Sequence, residues 1–180
     1  MVDNVLDVEN LTVRFHLKRG DLTAIDGLSL SVKQGETFGL VGESGSGKSV
    51  TARSIMRLIP TPPGEIVSGR IMFNGEDIYE KTNDEMRVMR GNEVAMVFQE
   101  PMSALNPVFT VGDQISDALR TNMGMNKDEA NDRVVELLQL VGIPSPGSRL
   151  DSYVHEFSGG MRQRVMLAMA LSCDPTFLIA

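Results

Sequence analysis

The stretch Gly42-Glu43-Ser44-Gly45-Ser46-Gly47-Lys48-Ser49 constrains this chain more than any other. Thr37 to Val41 before it reads as a short buried strand, and Val50 to Leu58 after it as the start of a helix. Strand, glycine-rich turn and helix is the setting in which G-x-x-x-x-G-K-[ST] works as a phosphate-binding loop. Glycines let the backbone curl so that several N–H groups point inward, and the helix N-terminus adds its positive partial charge at the same place. Within such a loop Gly42, Glu43, Ser44, Gly45, Ser46 and Gly47 line the phosphates, Lys48 reaches the β- and γ-phosphates, and the Ser49 hydroxyl ligands Mg²⁺. A fold that carries this turn is built around an α/β core.

The segments upstream add a different layer. Val5 to Phe15 and Leu22 to Val32 read as two strands separated by a polar turn at His16 to Asp21, which gives an N-terminal antiparallel β region. Phe15 is the main aromatic in this region, because the chain has no Trp and both Tyr lie downstream. It is either a core residue or the ring that stacks on an adenine.

Downstream of the loop, Pro60, Pro62 and Pro63 end the first helix. Gly69 to Phe73 is a strand closed by Asn74-Gly75, Asp77 to Tyr79 continues it, and Thr82 to Met89 reads as a short charged helix. Glu93 to Phe98 is a buried strand that ends at Gln99. Ligands of open α/β sheets sit beyond the carboxyl ends of the strands. Gln99 is therefore placed to reach Mg²⁺ or to position an attacking water, although many glutamines after strands are plain loop residues. A loop with two prolines follows, then two helices over Val111 to Asn122 and Asn126 to Val141. Residues 108–155 thus form a helical insertion. Phe157-Ser158-Gly159-Gly160-Met161 opens a further helix running to Cys173, with Ser158 as its N-cap and exposed N–H groups, so the chain carries a second anion-binding helix start. Pro175 to Ala180 reads as another buried strand.

Composition narrows the function classes. A net charge of −7 argues against a nucleic-acid partner, and the single cysteine, Cys173, allows no internal disulfide. No apolar run approaches the ~18 residues of a membrane helix.

The loop at 42–49, Gln99 and Ser158-Gly159-Gly160, in that order with a helical insertion between, resemble the ATP-binding subunits of ABC transporters. The runs Phe98 to Val108 and Phe157 to Arg164 look like the oligopeptide, dipeptide and nickel importer branch, which often has Met at the position of Met161. The resemblance implies a P-loop NTPase core of RecA-like type, with 1–107 as ATP-binding core and antiparallel β subdomain, 108–155 as helical subdomain, and 156–180 as signature segment, helix and last core strand. It implies ATP and Mg²⁺ as ligands, Lys48 and Gln99 in catalysis, and Ser49 and Gln99 on the metal. Ser158, Gly159, Gly160 and Met161 would contact the nucleotide held by a second ATP-binding subunit. Transmembrane permease subunits, and through them a solute-binding protein, would complete the assembly on the cytoplasmic face of the membrane.

Three departures stand out. Position 50 is Val where many ABC proteins have Thr, leaving a backbone N–H for the α-phosphate. Extra residues follow Phe15, which leaves the adenine-stacking ring open. The segment Leu178-Ile179-Ala180 would run into an Asp that binds Mg²⁺ and a Glu that acts as base, and neither is in this sequence. His16 and His155 do not match the later His that contacts the γ-phosphate. The expectation is a core incomplete at its C-terminus that binds ATP but does not turn it over alone. Other readings are a soluble ABC-type ATPase of repair or translation, which long coiled-coil insertions would favour, and a small-molecule kinase, which leaves Ser158-Gly159-Gly160 unexplained.

Overall fold

The computed structural model describes residues 4–98, 100 and 104–180. They gather into two compact units, Met1–Met86 and Arg87–Ala180.

The first unit is built on β1 (Asn4–Leu17), which lies between β2 (Gly20–Lys33) and β3 (Gly64–Phe73). A short β4 (Glu76–Asp77) extends the sheet on the far side of β3, and every pairing is antiparallel. The expected antiparallel β region is therefore present, with longer strands than the sequence pattern gave. Leu6 and Val8 face the core in one phase of the two-residue alternation, and Leu11 and Val13 in the other. An alternation changes phase only if an extra residue is inserted, and the register of β1 shifts at this place against both neighbours. Asn10 adopts φ 48° there. Gly69 backs onto the bulge so closely that a Cβ would stand 2.5 Å from the carbonyl oxygens of Glu9 and Asn10. The bulge needs a glycine across from it.

Helix α1 (Lys48–Ile55) follows the glycine-rich loop and is shorter than expected. Met56 caps it and Arg57 turns to φ 50°, ahead of the prolines. The buried strand expected at Thr37–Val41 does not form: these residues carry no regular structure, and Phe38, Leu40 and Val41 are exposed, Val41 at 92%. A strand exists only beside a partner that takes up its N–H and C=O groups, and no described residue pairs with this run.

In the second unit, β5 (Val94–Met96) and β6 (Phe177–Ile179) pair in parallel. Helix α2 (Asn83–Asn92) leads into β5. The rest is helical: α3 (Val111–Met123), α4 (Lys127–Leu140) and α5 (Gly159–Leu171). Side-chain oxygens cap all three starts. Thr110 accepts from the Asp113 N–H, Asn126 forms a capping box with Glu129, and Ser158 accepts from the Met161 N–H. Ile115 and Leu119 of α3, Val134, Leu137 and Leu138 of α4, and Val165 and Ala168 of α5 make one buried cluster with Phe157. The insertion read at 108–155 falls wholly inside this unit.

Candidate functional site

The glycine-rich loop belongs to the first unit. Its glycines are needed for two different reasons. Gly45 and Gly47 take φ +83° and +92°, backbone that side-chain-bearing residues rarely adopt. Gly42 has ordinary backbone but no room, since a Cβ would meet the Ser46 hydroxyl at 2.5 Å. Gly47 is crowded as well, because its Cβ would stand 2.7 Å from the Ala24 carbonyl oxygen of β2. The loop is thus pressed against β2 at its last glycine and curls on itself at its first.

Lys48 closes this curl. Its ammonium donates to the carbonyl oxygens of Gly42 and Glu43, both at 2.7 Å, and lies 3.4 Å from the Ser46 hydroxyl. The cation is held over the loop by the loop's own backbone, and the whole stretch from Gly42 to Gly45 is exposed. Gly47, Lys48, Ser49 and Val50 form the start of α1 with no acidic residue in its first turn, so the positive end of the helix is unopposed. Thr51, not singled out by sequence reasoning, is buried here. The Gly47 carbonyl receives both its N–H at 2.8 Å and its hydroxyl at 3.0 Å. The available signal was a hydroxyl four residues after Gly47, one helical turn on.

Phe15 sits on β1 opposite Leu22 and Gly64, and its ring edge lies 3.1 Å from where a Gly64 Cβ would be. The ring is partly buried against the start of β3. His16, next to it, is bracketed by two carboxylates: Nδ1 is 2.9 Å from Asp21 and Nε2 is 2.8 Å from Glu65. Hydrogen bonds to Glu65 first, and to Asp21 second, raise its pKa above the ordinary value. Gln99 lies outside the described residues. Among the described residues no group of three His, Cys, Asp or Glu side chains could hold a metal ion.

The segment Ser158 to Met161 belongs to the second unit. Phe157 anchors it, at 2% exposure in the helical core. The Ser158 hydroxyl is 3.3 Å from the Met161 N–H it caps, and Met161 packs against the core. Gly159 and Gly160 differ from the loop glycines. Both have ordinary helical backbone, both are exposed, and nothing stands within 4 Å of a Cβ at either position. Nothing among the described residues requires glycine there.

The ABC transporter family profile matches residues 25–180. The chain is 50% identical over 179 residues to the dipeptide transport ATP-binding protein DppD of Bacillus subtilis (strain 168), covering 99% of this chain and 53% of that protein. It is 49% identical over 179 residues to the oligopeptide transport ATP-binding protein OppD of the same organism, covering 99% and 50%. The chain thus spans about half the length of the curated relatives it matches. Among solved structures, the dimeric, post-hydrolysis ATP-binding cassette MJ0796 bound to ADP and Pi superposes with a TM-score of 0.85 at 24% identity, over 96% of this chain and 72% of that one, which speaks for the fold. CbiO1 from Clostridium perfringens, part of the ABC transporter complex cbiONQ, superposes with a TM-score of 0.76 at 28% identity, over 98% and 64%. A profile that begins in β2, runs through the glycine-rich loop and both parallel strands and reaches residue 180 leaves no other assignment: the chain belongs to the ABC transporter family.

Proposed function

We propose that this chain is the nucleotide-binding part of an ATP-driven importer of peptides or related small solutes. The observation that carries the reading is the loop at 42–49, with its curled backbone, its unopposed helix start and the Lys48 ammonium over its mouth. That geometry suits a polyphosphate: backbone N–H groups and one cation converge where a chain of negative oxygens would lie. Gly42 to Ser49 and the Val50 N–H would cradle the phosphates of ATP. Ser49, together with Gln99, would hold Mg²⁺, which prefers oxygen ligands and keeps phosphate oxygens among them. Bound there, Mg²⁺ would neutralise charge developing on the β- and γ-phosphates. Lys48 would exchange its two carbonyl partners for phosphate oxygens. Phe15 would offer the edge of β1 to the adenine or serve only as packing.

The reading extends to a second subunit. Open space over Gly159 and Gly160 fits close approach by something outside the chain, and a nucleotide held by a paired cassette fits the positive helix start beneath them. Peptide transport follows the named relatives, which are dipeptide and oligopeptide transport ATP-binding proteins. Permease partners at the cytoplasmic face of a membrane complete the same reading.

Lys48→Ala tests the core of this proposal. The variant should bind ATP at least about tenfold more weakly, since a charge-assisted contact is worth about 1.5–3 kcal/mol. Equal affinities of the two proteins by calorimetry would overturn it.

A further inference from the structure

We propose that Arg162 and Arg164 are positioning residues that fix the direction of the first turn of α5, and with it Ser158, Gly159 and Gly160. This rests on the reading of that turn as the part that meets a second subunit's nucleotide.

The first turn has few side chains of its own to hold it. Gly159 and Gly160 contribute none, the Ser158 cap is a long hydrogen bond, and Met161 alone packs against the core. Phe157 anchors the chain before the turn, and Val165 continues the buried face after it. Between these anchors two arginines reach back to fixed backbone. Arg162 donates from Nε to the Val154 carbonyl at 3.0 Å and from Nη2 to the His155 carbonyl at 3.2 Å. Those carbonyls lie in the 3-10 turn Val154–Glu156. Arg164 donates from Nη1 to the Gly142 carbonyl at 2.7 Å, and its Nε lies 3.4 Å from the Gly160 carbonyl.

Positions two apart on a helix differ by about 200° around its axis, so the two tethers leave α5 on different sides. Their anchors lie in hydrogen-bonded backbone, the Val154 carbonyl also accepting the Phe157 N–H. Gly142 follows the end of α4 with φ 74°, and the Gly142 and Ile143 N–H groups bond back to the carbonyls of Gln139 and Leu138. This is a closed helix terminus whose negative end favours a cation. A helix start restrained from two sides keeps its N–H groups aimed in one direction, which is what recognition of a phosphate from outside requires. The two side chains also differ in what can replace them. Arg162 uses a planar fork on adjacent carbonyls, which an ammonium cannot reproduce, whereas Arg164 makes its short bond to Gly142 through one nitrogen.

The test uses the full chain and its R162A, R162K, R164A and R164K variants. Amide hydrogen exchange reports local order. ATP-dependent cross-linking of Ser158→Cys in one copy to Ser46→Cys in another reports pairing. Each alanine variant should speed exchange at residues 161–164 by about tenfold or more, with α3 amides as an unchanged reference. Cross-linking should fall by a similar factor, while ATP affinity at the chain's own loop stays within about twofold. R164K should recover most of both signals and R162K should not. Unchanged exchange at 161–164, or an equal rise across α3 and α4, would overturn the proposal. Absence of ATP-dependent cross-linking in the parent would instead refute pairing through Ser158, and the exchange data would still decide the role of the arginines.

Discussion

Gly47 and His16 are held by opposite kinds of constraint. Gly47 is fixed by its surroundings: its φ of +92° and the Ala24 carbonyl oxygen at 2.7 Å from its would-be Cβ leave no space for a methyl group. A backbone oxygen in a paired strand cannot swing away as a side chain can. Gly47→Ala should therefore cost about 1–3 kcal/mol and reduce ATP binding, as measured by urea unfolding and calorimetry. A variant with parental stability and affinity would show that the loop relaxes freely. His16 is fixed by charge instead. With carboxylates on both ring nitrogens, only the imidazolium can donate to Glu65 and Asp21 together. Its folded pKa is raised above the unfolded value, so its contribution is complete below about pH 6.5 and disappears as pH rises through the folded value. His16→Gln should lower the melting temperature at about pH 6 and leave it unchanged at about pH 8.5. An equal loss at both pH values would contradict the imidazolium clasp. The His16–Glu65 contact was not visible in the sequence, since it exists only because β1 and β3 are neighbours.

At the scale of elements, the helices were legible, one expected strand does not form, and the buried strand read at Pro175 to Ala180 forms only over Phe177–Ile179, with Leu178 exposed. The starts of α3, α4 and α5 are written locally: Thr110, Asn126 and Ser158 each stand one residue before a helix and cap it. The sequence reading placed two of these helices within one residue of their observed bounds because capping and the 3.6-residue pattern need no distant partner. The bulge at Asn10 escaped it, because only the packing of Gly69 across the sheet reveals which residue is extra. Thr37–Val41 shows the opposite failure. An apolar run before a glycine-rich turn has the composition of a buried strand, yet pairing is a property of two segments, and here the run lies exposed. Exposed strand-forming residues without a ladder are templates for other chains. Val41→Lys should therefore raise the concentration at which this chain self-associates, followed by light scattering. Identical scattering of both proteins would mean that another surface drives association.

For the molecule as a whole, the glycine-rich loop and the segment after Phe157 lie in different compact units. The sequence draws attention to both because each is short, contiguous and chemically unusual. What it could not supply was the local constraint on each glycine: Gly42, Gly45 and Gly47 answer to this chain's own atoms, while Gly159 and Gly160 answer to nothing among the described residues. That difference has an evolutionary edge. Two glycines in the first turn of a helix reduce stability by a few tenths to about 1 kcal/mol each relative to alanine. Laboratory selection of this chain for heat resistance alone should collect Gly159→Ala and Gly160→Ala early, with melting temperature unchanged or higher. Under the proposed function, selection for growth on an imported peptide should refuse both. If survivors of the two regimes share these substitutions, the glycines are historical residue; if they diverge there, the molecule carries at those positions a weakness maintained on behalf of its partner.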